Sequence, residues 1–299
     1  MPYKIAIASG KGGTGKTTVA VNLYSGLKQK FGSRILLADC DVEEPNTLLF
    51  FHHALVSAEN AITQMIPAID TEKCTFCREC VMYCEFNAIV VLPTAGFAAV
   101  NPELCHSCGA CSVACTESAV TEYSEVIGSV NLFNSPDGDQ LVEGRLKIGS
   151  ARQTPMVKAV KKKVKDKADI IIYDAPPGTS CQVVETISGA NYIVLVTEPT
   201  PFGLHDLQLM VSLVRELKIP FGIVINKSGI GNREVYDFIE HEGIQLIGEV
   251  PFSKEYASMY AKGKITGEVP DIIHKAYSGI SEYIAQNIYQ HDGNYCFEW

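Results

Sequence analysis

Short apolar runs alternate with amphipathic segments over most of this 299-residue chain. The first run, Lys4–Ala8, is almost continuously apolar, as a strand buried on both faces should be. The next segment, Thr17–Phe31, repeats apolar residues at every fourth position, which indicates one face of a helix. Similar strand-like runs occur at 34–38, 170–173, 192–196, 221–225 and 245–248, and helical segments at 204–217 and 232–241. This alternation predicts an α/β fold in which helices wrap a mostly parallel sheet.

The alternation breaks off between about Ile66 and Tyr123, where an internal repeat replaces it. Most of the cysteines stand there as two copies of C-x2-C-x2-C-x3-C, 31 residues apart: Cys74, Cys77, Cys80, Cys84 and Cys105, Cys108, Cys111, Cys115. We therefore predict an α+β domain of bacterial ferredoxin type at 66–123, inserted into a discontinuous domain formed by 1–65 and 124–299. The turn signal Ser135–Gly138 predicts a hairpin that leads back into the larger domain.

The cysteine spacing is that of a module with two iron–sulfur clusters, in which the fourth cysteine of each run ligates the other run's cluster. This crossed arrangement predicts one [4Fe-4S] cluster on Cys74, Cys77, Cys80 and Cys115, and a second on Cys84, Cys105, Cys108 and Cys111. The alternatives are zinc or free thiols, although zinc sites made of four cysteines more often use two separate C-x2–4-C pairs. Ferredoxins usually follow the fourth cysteine with proline, whereas Glu85 and Thr116 stand there in this chain, without consequence for ligation.

Charge and composition narrow the classes of partner. A net charge of −9 and a pI of about 5.3 argue against binding to nucleic acid. The chain opens directly on an apolar strand without a signal peptide, and no apolar run reaches the roughly 18 residues that span a membrane. We therefore expect a cytoplasmic protein with no membrane partner, whose cysteines bind metal in a reducing compartment.

A phosphate-binding signature lies between the first strand and the first helix. Residues 10–17 fit G-x-x-x-x-G-K-[ST] in the strand–loop–helix context that the motif requires, which argues against a chance glycine-rich turn. The loop amides would cradle the phosphates, Lys16 would neutralise the β/γ oxygens and the Thr17 hydroxyl would bind Mg²⁺. The expected ATP contacts here are Gly10, Lys11, Gly12, Gly13, Thr14, Gly15, Lys16, Thr17 and Thr18.

The second lysine, Lys11, makes the loop resemble the deviant P-loop of the MinD/ParA/nitrogenase iron-protein superfamily. Segments 39–46 and 174–179 look like that superfamily's switch I and switch II, and 224–227 and 250–252 resemble its adenine-binding segments. Within the superfamily, the chain is most similar to the group that carries an inserted two-[4Fe-4S] ferredoxin domain. The resemblance covers most of the chain.

The resemblance implies a homodimer that sandwiches two ATP molecules. Lys11 would then reach across to the partner's phosphates, as an arginine finger does in other NTPases. Asp41 would orient or deprotonate the attacking water and lie at the Mg²⁺ with Thr17 and Asp174. The implied catalytic residues are thus Lys11, Lys16 and Asp41, and the implied adenine contacts are Asn226, Pro251 and Phe252. Asp39 would either cap its turn or lie near the metal.

Three cysteines fall outside the repeat. Cys181 follows switch II, where the nitrogenase iron protein places one ligand of a cluster shared across its dimer, but Ser150 stands near the position that the resemblance implies for the other ligand. Cys181 is therefore either a bridging ligand or a small buried or substrate-contacting thiol. Cys40 is expected to pack beside switch I, and Cys296 lacks the context of a prenylation signal.

These features lead us to expect an ATPase that couples nucleotide-driven conformational change to electron transfer from two [4Fe-4S] clusters to a redox partner protein. The alternative is an iron–sulfur cluster carrier or a maturation ATPase that serves a metalloenzyme. Against that alternative, no further C-x-x-C pair exists to hold a labile shared cluster. A third possibility is a positioning ATPase that binds a membrane through 271–288, although that segment lacks flanking basic residues and its apolar stripe favours core packing.

Overall fold

The computed structural model describes residues 1–292, in which two compact units can be distinguished. The first unit contains Met1–Glu59, Val130–Arg145 and the described residues from Val157 onward, and the second contains Asn60–Ser129 and Leu146–Met156. The second unit is thus wider than the segment 66–123 that sequence analysis assigned to an inserted domain, and it takes in a stretch that follows the hairpin. The ferredoxin identity of this unit stays a prediction.

The strands are β1 (Tyr3–Ala8), β2 (Ile35–Asp39), β3 (Leu55–Ile69), β4 (Ile89–Leu92), β5 (Phe97–Val100), β6 (Val120–Asn134), β7 (Gln140–Leu146), β8 (Ile170–Asp174), β9 (Tyr192–Thr197), β10 (Phe221–Ser228) and β11 (Leu246–Pro251). The helices are α1 (Lys16–Phe31), α2 (Glu79–Met82), α3 (Ala110–Ala114), α4 (Gln153–Val164), α5 (Cys181–Ile187), α6 (Pro201–Leu217), α7 (Glu234–His241), α8 (Lys254–Ala261) and α9 (Asp271–Asp292). Short 3₁₀ turns lie at Gly32–Arg34, Thr47–Phe50, Pro93–Ala95 and Pro102–Leu104.

The main sheet has the strand order β11-β10-β9-β1-β8-β2-β7-β6-β3, and β3 and β6 each continue into the second unit. Its pairings from β11 through β7 are all parallel. Strands β2, β8 and β9 are buried along their whole length, as their continuous apolar sequences predict. The predicted parallel α/β fold is therefore confirmed.

The hairpin after the cysteine region is also present, since β6 and β7 are neighbours joined by a turn in which Ser135 and Asp139 hydrogen-bond. The long strands β3 and β6 were not predicted.

Helix α9 closes the hydrophobic core of the first unit. Ile273, Ile280, Ile284 and Ile288 on its apolar stripe are at most 2% exposed, so the core-packing interpretation of this segment is confirmed. Ile272, which the same stripe included, is 59% exposed. Over residues 1–292, no helix combines the length and the apolarity needed to cross a membrane.

In the second unit, β4 and β5 form a two-stranded antiparallel sheet beside the short helices α2 and α3. The small core here consists of Ile89, Val91 and Ala98 together with Cys80 and Cys111. Two cysteines of the repeat therefore belong to the core, one from each copy.

Candidate functional site

The glycine-rich loop joins β1 to α1 at the carboxyl edge of the parallel sheet. Gly13 and Gly15 have φ values of 78° and 94°, in the left-handed region that favours glycine. A Cβ on Gly15 would lie 2.2 Å from Nδ2 of Asn226, and a Cβ on Gly10 would lie 2.3 Å from the carbonyl oxygen of Asp206. The loop therefore needs glycine at these positions both for its backbone conformation and for its close packing.

Lys16 opens α1 and is buried within the loop. Its Nζ donates to Ser9 Oγ at 3.0 Å and to the carbonyl oxygen of Lys11 at 3.3 Å. Burial lowers the pKa of Lys16, while the nearby carboxylates of Asp174 and Asp41 raise it. The ammonium group thus lies where the motif requires it, beside the acidic residues that end β2 and β8.

Asp174 ends β8 and pairs in register with Asp39 at the end of β2. Burial raises its pKa well above the usual value and Asp39 adds to this, whereas Thr17 and Lys16 lower it. Neither carboxylate oxygen has a partner with hydrogen-bond geometry among residues 1–292. Buried, unpartnered carboxylate oxygens beside a threonine hydroxyl fit Mg²⁺, which prefers oxygen ligands. Asp174 and Thr17 are therefore suited to hold the ion that accompanies ATP.

Asp39 has a different role. Its two carboxylate oxygens accept hydrogen bonds from the backbone N–H groups of Asp41, Asn46 and Thr47, at 3.0, 2.9 and 3.0 Å. These contacts fix the loop after β2, which is the capping alternative that the sequence left open. Burial raises the pKa of Asp39 to about 7, against the lowering effect of those hydrogen bonds.

Asp41 stands on the loop that Asp39 fixes, and its electrostatic partners place it near the phosphate site. Burial raises its pKa to about 6, although the neighbouring Lys16 lowers it. A carboxylate with this pKa changes its charge close to neutrality, as a group that orients or deprotonates water should.

Lys11 points to a carboxylate of its own chain. Its Nζ lies 2.5 Å from Oε1 of Glu198, and Nζ of Lys227 lies 3.0 Å from Oε2 of the same residue. Lys227 also donates to the carbonyl oxygen of Gly13 at 3.1 Å. Sequence analysis missed Glu198, and the only available signal was an acidic residue directly after the apolar run of β9.

The residues that the resemblance assigned to adenine lie near the same loop. Asn226 donates from Nδ2 to the carbonyl oxygen of Thr14 at 2.7 Å, so it supports the loop in this structure. Pro251 ends β11, and Phe252 after it is 45% exposed. Their contacts with a base stay a prediction.

The repeat cysteines line two cavities of the second unit, each of about 350 Å³. Site 1 contains Cys74, Cys77, Cys80 and Cys115. Site 2 contains Cys84, Cys105, Cys108 and Cys111. The structure thus brings together the two crossed sets of four that the spacing predicts. Four thiolates around one cavity fit a cubane cluster. Throughout the described part of the chain, no three Cys, His, Asp or Glu side chains converge on a single metal ion.

The backbone repeats with the cysteines. Unusual positive φ values recur 31 residues apart, at Phe76 and Ser107 (55° and 52°), Arg78 and Gly109 (70° and 74°), and Asn87 and Ser118 (51° and 53°). Backbone N–H groups also approach the thiols in pairs: Phe76 and Ser107 lie 3.4 Å from Sγ of Cys74 and Cys105. Ala88 and Ala119 lie 3.4 and 3.3 Å from Sγ of Cys84 and Cys115. Because such contacts stabilise thiolate ligands, the backbone of both sites is shaped for metal binding.

The stretch 146–156 is anchored within the second unit by Arg152. Its Nη2 donates to the carbonyl oxygen of Pro102 at 2.7 Å and to Glu125 at 3.0 Å, and its side chain is only 4% exposed. The backbone N–H of Ala151 donates to Glu103 at 3.1 Å. These contacts hold the stretch against the residues that precede Cys105.

Two of the remaining cysteines can be placed. Cys40 is fully buried after β2, as expected for a packing residue. Cys181 begins α5 and is exposed, which excludes the buried alternative. Cys296 lies outside the described residues.

Comparison with known proteins connects the phosphate loop and the cysteine sites. Over residues 5–266, the chain matches the family described as the CobQ/CobB/MinD/ParA nucleotide binding domain. An iron–sulfur cluster carrier protein of Pyrococcus furiosus is 24% identical, covering 98% of this chain and 88% of its own length. An uncharacterised protein of Methanocaldococcus jannaschii is 28% identical, with coverages of 87% and 90%. The solved structure of the cell division ATPase MinD of P. furiosus is similar with a TM-score of 0.58, at 19% identity and coverages of 96% and 100%. That likeness shows the fold.

Proposed function

The chain belongs to the CobQ/CobB/MinD/ParA nucleotide-binding family, and from that premise we propose that it is a Mg²⁺-dependent ATPase that carries [4Fe-4S] clusters to acceptor proteins. The observation that carries this proposal is the pair of four-cysteine cavities in the second unit. The relatives named iron–sulfur cluster carrier proteins support cluster carriage over the electron-transfer interpretation of the sequence.

The phosphate site supplies the groups that ATP hydrolysis needs. Lys16 would neutralise charge on the β/γ oxygens, and Thr17 and Asp174 would hold Mg²⁺, which offsets the charge that develops on the phosphates. Asp41 would orient or deprotonate the water that attacks the γ-phosphorus, releasing ADP and phosphate.

The site also needs a second copy of this chain. Lys11 would contribute to the partner's phosphates in an ATP-dependent homodimer, and the Lys11–Glu198 ion pair then represents the state before that contact forms. Nucleotide binding would thereby control the chain's association, and through it the time at which a cluster is handed over.

A second candidate function, electron delivery to a redox partner, is favoured by one specific observation. The eight repeat cysteines form two complete sets, and Cys40 and Cys181, the other cysteines within residues 1–292, are a buried thiol and a single exposed thiol. No additional pair in this part of the chain would hold a transferable cluster shared between two copies.

Labelled iron separates the two candidates. Anaerobic protein loaded with ⁵⁷Fe is incubated with an apo-acceptor that binds a [4Fe-4S] cluster, with ATP, with a non-hydrolysable analogue or without nucleotide. A carrier transfers label to the acceptor, loses visible absorbance, and does so faster with ATP. Lys16→Ala, which removes the charge on the phosphates, should lose the acceleration by ATP. Constant iron content together with ATP-dependent reduction of an acceptor would instead establish electron delivery.

A further inference from the structure

We propose that the two cluster sites are unequal: site 1 releases its cluster, whereas site 2 retains it. This proposal rests on the proposed function as a cluster carrier and names the position of the transferred cluster. It follows from comparing side chains that the internal repeat makes equivalent.

The repeat removes the usual causes of inequality. Both sites have four cysteines, and each takes three from one copy and one from the other. Backbone N–H groups approach the sulfurs at 3.3–3.4 Å in both copies. The central cysteines, Cys80 and Cys111, are each 8% exposed. A difference between the clusters must therefore come from the other residues that line the cavities.

The sharpest difference concerns one pair of lining positions. At site 2 these positions hold Phe86 and His106, whose rings stack in parallel with centroids 3.8 Å apart and an interplanar angle of 8°. The equivalent residues at site 1, 31 positions away, are Glu117 and Thr75. Two stacked rings form a flat wall without space for water, whereas a carboxylate and a hydroxyl recruit water to the cavity.

Neighbouring positions add to this contrast. Site 1 is also lined by Arg78 and Glu79, whose equivalents at site 2 are Gly109 and Ala110. The two charged side chains are exposed, so they extend into solvent and bring water with them. Site 2 is lined by Tyr83 in addition to the ring stack, and no lining residue that the structure describes there carries a fixed charge.

Loss of a cluster requires access to its irons. In transfer, the [4Fe-4S]²⁺ core exchanges the four thiolates of site 1 for four thiolates of the acceptor. The thiolates left behind take up protons from solvent, and no electron is gained or lost. Thiol exchange of this kind needs an incoming ligand and water at the cluster, which the Glu117–Thr75 side admits and the Phe86–His106 wall excludes.

Iron release to a chelator tests the inequality without reference to ATPase activity. Anaerobic protein with about eight iron per chain is mixed with an excess of an iron chelator, and chelated iron and cluster absorbance are followed. We expect two phases of about four iron each, since one cubane leaves before the other. A single phase of all the iron would overturn the proposal.

Exchanging the equivalent residues assigns the phases to the sites. Thr75→His with Glu117→Phe gives site 1 the lining of site 2 and should abolish the fast phase. The converse variant, Phe86→Glu with His106→Thr, should merge both phases into one fast phase. If that double variant does not load eight iron, Phe86→Leu breaks the stack while keeping an apolar residue and should accelerate the slow phase. A slow phase unchanged by every loaded site 2 variant would overturn the proposal.

The acceptor experiment with ⁵⁷Fe distinguishes this failure from failure of the proposed function. Two phases of chelation without any transfer to the apo-acceptor would leave the sites unequal and refute cluster carriage. Transfer of label from a protein that loses its iron in one phase would support carriage and refute the inequality.

Discussion

Replacing Glu198 with glutamine should make the proposed ATP-dependent dimer form more readily, because Glu198 holds Lys11 within its own chain. The two side chains are 13% and 28% exposed, and their charged atoms are 2.5 Å apart. Burial raises the pKa of Glu198, but Lys11 and Lys227 outweigh this effect and lower it overall, so the carboxylate is ionised at neutral pH. A lysine held in this way cannot reach a partner's phosphates, and the ion pair must open before the dimer forms.

The geometry sets the size of the effect. A hydrogen bond to a charged group contributes about 1.5–3 kcal/mol, and partial exposure places this pair towards the lower end, at about 1–2 kcal/mol per subunit. Glutamine preserves the shape but removes the charge. Since about 1.4 kcal/mol is a factor of ten and a symmetric dimer opens two such pairs, the dimer Kd should fall by at least about tenfold.

The assay is anaerobic sedimentation of the loaded protein with a non-hydrolysable ATP analogue. Glu242→Gln is the matched control, because it removes a surface carboxylate paired with Arg215 at 2.6 Å and should leave Kd unchanged. The combination of Glu198→Gln with Lys11→Ala should gain nothing over Lys11→Ala alone, since no lysine remains to be released. An unchanged or higher Kd in Glu198→Gln would refute the reasoning.

Three further results are expected at the phosphate site. Lys16→Ala should abolish ATP binding in calorimetry, whereas Lys11→Ala should keep binding and lose hydrolysis on the order of 10³-fold. Mixing Lys11→Ala with Asp41→Ala subunits should restore part of the activity, and no recovery in proven heterodimers would count against action across the interface. The hydrolysis rate should fall as pH drops through about 6, the pKa to which burial raises Asp41, and a rate independent of pH there would argue against Asp41 as the group that activates water. Gly15→Ala should weaken ATP binding by about 10- to 100-fold, because the new Cβ would meet Asn226 in a strained backbone conformation worth about 1–3 kcal/mol; unaltered affinity would show that the loop adapts.

The parallel sheet and the phosphate loop were predictable because each rests on a local pattern. Strands such as β8 are short apolar runs buried on both faces, and the glycine-rich loop needs its residues in a fixed order. The strands β3 and β6 lacked such a signal: each has 15 residues, and most of the β3 residues are exposed or half-buried. Strands without a buried face leave no regular apolar pattern in the sequence.

Contacts between residues distant in sequence were the other limit. Glu198 lies 187 residues from Lys11, and Arg152 lies 50 residues from Pro102, so neither pairing has a local signature. Lys11 also shows that a residue's implied role need not match its position in one state of the protein. The resemblance assigns it to a partner's phosphates, whereas in this single chain it is paired with Glu198.

The duplicated cysteine motif shows where sequence and structure contribute different information. Spacing alone predicted which four cysteines share a site, since the crossed arrangement follows from the repeat. The structure adds that positive φ values and N–H···Sγ contacts recur 31 residues apart, so the backbone treats both clusters alike. Where two sites share ligands and backbone, selection for different behaviour can act only on the remaining side chains. The replacement of a hydroxyl and a carboxylate by two stacked rings is therefore the feature in which a difference between the clusters should be sought first.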